Sequence, residues 1–391
     1  MRNRFLFNGH RLQDARRLRG KTIAELSLEA GLSKQVISQY EIGKAQPNLD
    51  KAFLFANLLQ FPIDFFFEDN TEELTTGTTF FRSFASTSKR ERVAQIIRTE
   101  YIATIFSILS KYVDFPELEV KSGIFEGVSP EAAANSLRES WGIQGPIHDM
   151  VRLLESKGIF VSALPIGNEN IDAFSQPSYI QADQKHIVCV VLGSEKESAV
   201  RRQFCAAHEL GHLVLHDWDI DVEELKTTEF RMQEDEANAF AGAFLLPKDE
   251  YTSDLRKFKI RLDTFVELKR KWHVSIGAQI MRAHALGIVD DENFVRLMKS
   301  YSARGWRKEE PFDDTFKLEM PVLAQKAIDL LLSSNCFDAS SLLKEFSECG
   351  LSLNTEFIEE LLTLNKGTLA ISENPPIIVP LEVKLRNDST M

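Results

Sequence analysis

A single H-E-x-x-H motif at residues 208–212 lies in an apolar run whose hydrophobic residues recur at helical spacing. His208 and His212 are four residues apart, so on a helix their side chains leave one face, with Cβ atoms about 5–6 Å apart. Two neutral imidazoles at that separation can bind one Zn²⁺, and Glu209 beside them is placed to accept a proton from an attacking water. The short pattern alone occurs by chance in many proteins, so the neighbouring segments decide its meaning.

A second segment downstream opens with acidic residues, continues with small and apolar ones, and ends at Pro247. This pattern predicts another helix that begins at Glu234. A carboxylate from its first turns would complete an open, three-ligand zinc site with the two histidines. We predict Glu234 as that ligand, with Glu236 as the alternative and Asn238, one turn beyond Glu234, as a hydrogen-bonding partner behind the ligands.

Other residues near the motif carry further expectations. His216 continues the histidine face by one turn. We expect it to cap the helix end or support the ligands, with a ligand role as the alternative, since three such histidines exceed one tetrahedral ion. Gly211 costs a helix about 1 kcal/mol against Ala, which predicts that another backbone packs closely there. The candidates for the group that stabilises an oxyanion are Tyr179 and Tyr251, and the sequence does not choose between them.

Two runs rich in β-branched residues precede the motif and are predicted as strands, at 159–164 and 187–192. Residues 179–181 are a candidate third strand. A small sheet therefore precedes the motif helix. In zinc peptidases the edge of such a sheet holds an extended substrate by backbone pairing.

The charge of the chain is unevenly distributed. The full sequence carries a net charge of −12, but residues 1–60 carry +5, which leaves −17 for the rest. A basic head on an acidic body predicts that only the head contacts phosphate groups.

The head contains short helices with clear end signals. Thr22 and Glu25 form a capping box, Gly31 ends that helix at a tight turn, and Ser33 caps the next helix. The second helix leaves polar side chains outward that suit reading of base edges in the major groove, namely Lys34, Gln35, Ser38 and Gln39. A small helical bundle with a solvated face is the alternative.

The head resembles the Xre/Cro–C1-type helix-turn-helix family over roughly residues 8–67, through residues 30–33, 37–41, 43–44 and 47. The resemblance implies a five-helix, lambda-repressor-like domain whose recognition helix starts at Lys34. Its partner would be a double-stranded DNA operator, and because such domains usually read two half-sites, a homodimer is expected.

Ordered segments in the second part resemble the ImmA/IrrE family of zinc metallopeptidases, at residues 129–131, 141–142, 145–147, 155–159, 172–175, 208–216 and 234–247. The resemblance implies a gluzincin-like fold, with Zn²⁺ held by His208, His212 and Glu234 and with Glu209 as general base. Family members cleave helix-turn-helix repressors or related regulators in phage, mobile-element and stress responses. The implied substrate is therefore a transcriptional regulator.

Together these patterns predict a multidomain, mainly α protein with an α+β catalytic part. The expected units are a helix-turn-helix domain, a linker with a helical connector, the peptidase domain and a helical C-terminal extension, at 1–70, 71–128, 129–290 and 291–391 respectively. In the second unit we expect a linker up to residue 88 and then one long helix that acts as a spacer.

The C-terminal extension has predicted helices around 320–334, 339–349 and 355–364, followed by a Pro-rich stretch at 375–380. It is either a sensor, dimerisation or substrate-docking module, or additional packing. The four cysteines form no C-x-x-C pair and no apolar run is as long as a bilayer span. We therefore expect a cytoplasmic protein without a membrane partner.

The leading hypothesis is a DNA-binding transcriptional regulator with a zinc-dependent endopeptidase domain that cleaves a repressor or another regulatory protein. A different class of function is a repressor or antitoxin-like regulator whose zinc site is structural or sensory. A third interpretation is a protease whose head binds protein instead of DNA.

Overall fold

The computed structural model describes residues 6–69, 74–81, 88–165, 173–181, 184–194, 198–220, 225–334 and 336–371. Within these residues the chain forms sixteen α-helices, one 3₁₀ helix and five strands. None of the described helices is long and apolar enough to cross a membrane. Residue 172 of the peptidase-like segments, the Pro-rich stretch at 375–380 and parts of the expected linker lie outside the described residues.

The head folds into four α-helices and a closing 3₁₀ helix, namely α1 (Gly9–Leu18), α2 (Ile23–Ala30), α3 (Lys34–Glu41), α4 (Leu49–Leu59) and Ile63–Phe67. Thr22 and Glu25 form the expected capping box at the start of α2. Gly31 ends that helix with φ of 62°, in the left-handed region, and the Ser33 side chain caps α3. The local end signals are thus confirmed, and the fifth helix is a 3₁₀ helix.

Helix α5 (Lys89–Leu109) follows the head. The expectation that it acts as a spacer is wrong, because every residue from 101 to 109 is buried. A helix that is buried all round belongs to a core. Helix α5 packs between the helix-turn-helix helices and the sheet, and its buried residues share one hydrophobic core with both.

Five strands form one mixed sheet: β1 (Leu74–Thr76), β2 (Phe80–Phe81), β3 (Ile159–Leu164), β4 (Ala173–Ile180) and β5 (Lys185–Gly193). The order is β1-β4-β5-β3, and β2 also pairs with β4. Only β3 and β5 are parallel to each other. The two strands predicted before the motif are confirmed, and residues 179–181 mark the end of the longer strand β4.

Strands β1 and β2 correct the expectation of a linker at residues 71–88, because the described part of that segment is paired to β4. Its threonines and aromatic residues have the side-chain types that suit a half-buried strand. The sequence alone did not indicate this pairing, since the partner strand lies about a hundred residues away, with Phe80 opposite Ser175.

The sheet separates two hydrophobic cores, because successive side chains of a strand point to opposite faces. Phe160 and Cys189 face the core that contains α5, the helix-turn-helix domain and the C-terminal helices. Val161 and Val190 face the core that contains the motif helix. The first core crosses the expected domain limits, so those limits stay predictions.

The second core is built from helices on the other face of the sheet: α6 (Pro130–Ser140), α7 (Met150–Ser156), α8 (Ala199–Leu215), α9 (Thr227–Leu245), α10 (Lys248–Leu255), α11 (Leu262–Trp272), α12 (Ile276–Ala285) and α13 (Asp291–Ala303). Ser129 caps α6, with Pro130 in the first helical position. Helix α8 carries the H-E-x-x-H motif, and α9 packs directly against it.

The C-terminal extension forms the three expected helices, α14 (Leu323–Ser333), α15 (Ala339–Glu348) and α16 (Thr355–Leu361). It contacts the helix-turn-helix domain, where the Arg11 guanidinium donates to the Gly350 carbonyl at 2.7 Å. It also contacts the sheet, where the Ser162 hydroxyl donates to the Leu361 carbonyl at 2.5 Å. The extension therefore ties the helix-turn-helix domain to the sheet.

Candidate metal centre

Two neighbouring helices bring three ligand-type side chains to one point. His208 and His212 project from α8, and their Nε2 atoms lie 3.0 Å apart. Glu234 projects from α9, with Oε1 3.2 Å from His212 Nε2 and Oε2 3.5 Å from His208 Nε2. Among the described residues, this is the cluster of histidine, cysteine and carboxylate groups that could hold a metal ion.

The chemistry and spacing of this cluster fit a zinc ion. Zinc bound tetrahedrally at about 2.0–2.1 Å separates its ligand atoms by roughly 3.3–3.4 Å. The three closest distances between the ligand atoms, 3.0, 3.2 and 3.5 Å, bracket that value. Oε1 of Glu234 is also buried and faces Nε2 of His212 at 3.2 Å. Two imidazoles and one carboxylate are a typical donor set for a zinc site that keeps one position open.

Each histidine of the cluster has a polar partner at its Nδ1 atom, which orients the ring. Oδ1 of Asn238, one turn after Glu234 on α9, lies 3.1 Å from His208 Nδ1. A proton on Nδ1 that is donated to Asn238 leaves the lone pair on His208 Nε2, where a metal would bind. Nδ1 of His212 lies 3.1 Å from Nδ1 of His216.

His216 and Glu236, which the sequence left as reserve ligands, lie beside the cluster and contact each other. His216 is the C-terminal capping residue of α8, and its Nε2 is 3.2 Å from Oε2 of Glu236. Burial lowers the pKa of His216 to about 4, and the neighbouring His212 adds to this shift against the opposing effect of Glu236. The structure thus places both residues on the far side of His212.

Helix α9 is longer than expected, and Glu234 lies inside it. It begins at Thr227, so the prediction that the helix begins at Glu234 is wrong. The first two turns are largely exposed and carry no apolar period that could reveal them in the sequence. Burial raises the pKa of Glu234, but hydrogen bonds from His208 and His212 outweigh it and lower the pKa to about 2.

The close approach of α9 explains the glycine in the motif. A Cβ atom at Gly211 would lie 3.1 Å from the Ala237 Cα and 3.1 Å from Phe240 Cδ1. The prediction that another backbone packs against Gly211 is therefore confirmed. This contact sets the spacing of α8 and α9, and with it the distance from the two histidines to Glu234.

Glu209 points to the sheet, and a residue missed by the sequence reasoning holds it there. Its Oε2 atom accepts a hydrogen bond from the Ser175 hydroxyl on β4 at 2.8 Å, and both residues are fully buried. Ser175 occurred only within one of the family-like segments, and no spacing in the sequence linked it to Glu209. Its contribution follows from the pairing of β4 with the rest of the sheet.

The two tyrosines proposed for oxyanion stabilisation have other surroundings. Tyr251 is fully buried, its ring packs on Trp272, and its hydroxyl donates to the Gln279 carbonyl at 3.1 Å. This hydroxyl proton is therefore already used in the core. The ring of Tyr179 packs against His186 near the end of β4.

The polar residues predicted to contact DNA lie together on α3. Lys34 and Gln35 are exposed, and Ser38 and Gln39 are half-buried on the same helix. Ile37 is fully buried and anchors the helix from the opposite side. The arrangement leaves the first turn of α3 available to a partner.

Comparisons with known proteins match two separate parts of the chain, one around α3 and one around the candidate metal centre. Residues 12–66 match the family model described as Helix-turn-helix, and residues 154–284 match the peptidase family model described as IrrE N-terminal-like domain. The chain joins a helix-turn-helix domain to an IrrE-like peptidase domain. A comparison with curated proteins gives no match. Helix α3 lies within the first matched range, and the cluster of His208, His212 and Glu234 lies within the IrrE-like domain.

Proposed function

We propose that this chain is a DNA-binding transcriptional regulator whose IrrE-like domain is a zinc-dependent endopeptidase that cleaves a regulatory protein. The observation that carries the proposal is the convergence of His208, His212 and Glu234 beside a buried Glu209. The fold of the two matched domains supports the two halves of this function.

His208, His212 and Glu234 would hold the ion. Bound there, Zn²⁺ would polarise the scissile carbonyl and lower the pKa of a water molecule. Glu209 accepts the proton of the attacking water and passes it to the leaving amine. The Ser175 hydroxyl fixes Oε2 of Glu209, so the carboxylate keeps one orientation for both transfers.

A structural or sensory zinc site is the competing function, and the burial of Glu209 speaks against it. A carboxylate removed from water is costly unless it is compensated. A purely structural site needs four ligands around the ion and has no use for an additional buried carboxylate that is not a ligand. The Ser175–Glu209 hydrogen bond is therefore better explained by proton transfer.

For the helix-turn-helix domain we propose a double-stranded operator, bound as a homodimer with one α3 in each half-site. The support is the exposed first turn of α3, with Lys34 and Gln35 available to a major groove. An electrophoretic mobility shift that weakens with salt would distinguish DNA from a protein partner of this domain.

The decisive experiment compares cells that express the unaltered chain with cells that express Glu209→Gln. Quantitative proteomics should reveal one shortened regulator only with the unaltered chain, and the purified proteins should reproduce the cleavage. Asp235→Asn is the matched control, because it makes the same chemical change at an exposed residue beside Glu234. Equal cleavage by the Glu209 variant would refute the mechanism. A change in operator affinity on chelation, without cleavage, would favour the sensory function.

A further inference from the structure

The outer edge of β4, beside the candidate metal centre, is occupied by the chain's own residues 74–81, which we call the strap. β1 of the strap pairs antiparallel with β4 from Leu74 opposite Ile180 to Thr76 opposite Ser178. β2 continues along the same edge, with Phe80 opposite Ser175. The strap therefore lies along β4 at the level of the residue that holds Glu209.

The strap is held by few backbone contacts and is interrupted by a bulge. Thr76 lies opposite Ser178 and Phe80 opposite Ser175, so the strap has one residue more than β4 between these pairs. At the bulge, Gly77 N donates to the Pro177 carbonyl at 2.9 Å. The next amide, of Thr78, donates to the Trp218 carbonyl at 2.6 Å. Strands of three and two residues are short, so the strap contributes few ladder hydrogen bonds to the sheet. Its release must also break side-chain hydrogen bonds, which the Thr76 hydroxyl donates to Glu100 and the Thr79 hydroxyl donates to Gln176.

Phe80 brings the strap into contact with His212 of the candidate metal centre. Its ring stacks on the His212 imidazole, with centroids 5.1 Å apart and an interplanar angle of 10°. It also lies 6.0 Å from His216, and only 3% of Phe80 is exposed. A large apolar side chain of the strap thus covers one side of the cluster.

An extended peptide binds to a sheet edge through the backbone groups that a neighbouring strand would use. A protein substrate that presents a peptide bond to Glu209 and the cluster needs the outer edge of β4. The strap already forms hydrogen bonds there and fills the space beside His212. Strap and substrate therefore exclude each other.

We propose that the strap is an internal competitor of the substrate, and that the place filled by Phe80 selects an extended protein segment with an aromatic or large apolar side chain. The inference rests on the proposed peptidase function of this site. The peptidase is then closed in the conformation described here and opens when residues 74–81 leave β4. The alternative, a permanent strand of the sheet, is tested by the same experiment.

The first test measures peptide binding, which does not depend on catalysis. The probe is a fluorescein-labelled peptide with the sequence of residues 74–81, titrated by fluorescence polarisation against the full-length, zinc-loaded Glu209→Gln protein. Gly77→Val is added to release the strap, because a Cβ atom there would lie 2.9 Å from the Trp218 carbonyl oxygen and 3.2 Å from that of Pro177. We expect at least tenfold tighter binding to the released variant. A control peptide with Asp in place of Phe80 should show no such gain.

A disulfide provides the reverse experiment without relying on a released strap. Thr75 and Tyr179 are partners across the pair of β1 and β4, and Thr75 is exposed. Their Cα atoms are thus at a separation that a disulfide can span. In a Cys336→Ser background, which removes the exposed native thiol, Thr75→Cys/Tyr179→Cys should bind no probe when oxidised and regain binding when reduced. The single variant Thr75→Cys should not respond to oxidation.

Cleavage of labelled casein separates this inference from the proposed function. If the unaltered chain cleaves casein and neither Gly77→Val nor the oxidised disulfide changes the rate, the strap is a permanent strand and only the further inference fails. If no variant cleaves casein or the regulator sought by proteomics, but probe binding follows strap release, the peptidase function fails and the competition stands. Equal probe binding by released, locked and unaltered proteins overturns the inference.

Discussion

Helix α3 and the cluster of His208, His212 and Glu234 are the two candidate sites of this molecule, and they are built in opposite ways. The α3 set comes from one eight-residue helix and faces outward. The cluster joins α8 and α9, its neighbour Glu209 is held by β4, and its histidines are almost completely buried. Changes on α3 should therefore affect binding alone, whereas changes at the cluster should affect function and folding together.

The largest expected effect is the loss of zinc from the cluster. We expect one zinc ion per chain in the unaltered protein and none in His212→Ala. At a free zinc concentration 1,000-fold above Kd, binding should stabilise the unaltered fold by about 4 kcal/mol. Thermal unfolding with and without zinc measures this difference. His10→Ala, at an exposed histidine of the other domain, should keep the full response, and a zinc-dependent Tm in His212→Ala would contradict the assigned ligands.

The next effect concerns the packing that creates the cluster. Gly211→Ala places a methyl group against the α9 backbone at 3.1 Å. Overpacking of this kind costs about 1–3 kcal/mol, which opposes and should exceed the gain of about 1 kcal/mol from replacing Gly by Ala in a helix. Gly242→Ala is the matched control on α9, because the nearest described atom to its added methyl group is the Arg282 Cδ at 3.8 Å. Denaturant unfolding should show a loss for Gly211→Ala and no loss for Gly242→Ala. Equal stability of the two variants would mean that α8 and α9 are packed less closely at Gly211 than the 3.1 Å approach implies.

The contrast between one local helix and a site built from distant segments also explains which features the sequence could predict. The capping box of Thr22 with Glu25 and the turn at Gly31 depend on neighbours within a few residues, so they were predicted with their positions. The pair His208 and His212 was predictable for the same reason, because the period of one helix fixes it. In both sites, features that depend on residues close together in the sequence can therefore be predicted from it.

Features that depend on distant segments were missed. Ser175 reaches Glu209 only through the register of β4, and Phe80 reaches His212 only because the strap adds to that strand. The burial of α5 likewise depends on helices at both ends of the chain. A single sequence carries no local signal for such pairings, since the hydrophobic pattern tells which faces are buried but not against what.

On the exposed site, the expected effect is confined to DNA binding. Gln35→Ala removes a side chain that can pair with an adenine edge, a contact worth about 1–3 kcal/mol of discrimination. The operator is first selected from a random duplex library with the unaltered protein, and affinities are then compared by mobility shift at fixed salt. The zinc content and the Tm of the variant should be unchanged, because Gln35 is exposed. Unaltered operator affinity would argue that this domain binds another partner.

The smallest expected effect tests how β4 supports Glu209. Ser175→Ala removes the hydrogen bond at 2.8 Å to Oε2 of Glu209, and we expect kcat for casein cleavage to fall by about tenfold, which corresponds to about 1.4 kcal/mol. KM should change little, because the hydroxyl faces the general base rather than the substrate. Ser178→Ala is a close control: this serine is also fully buried on β4, and no described group pairs with its hydroxyl. If both alanine variants reduce kcat equally, the effect comes from the strand as a whole, and Ser175 has no special part in positioning Glu209.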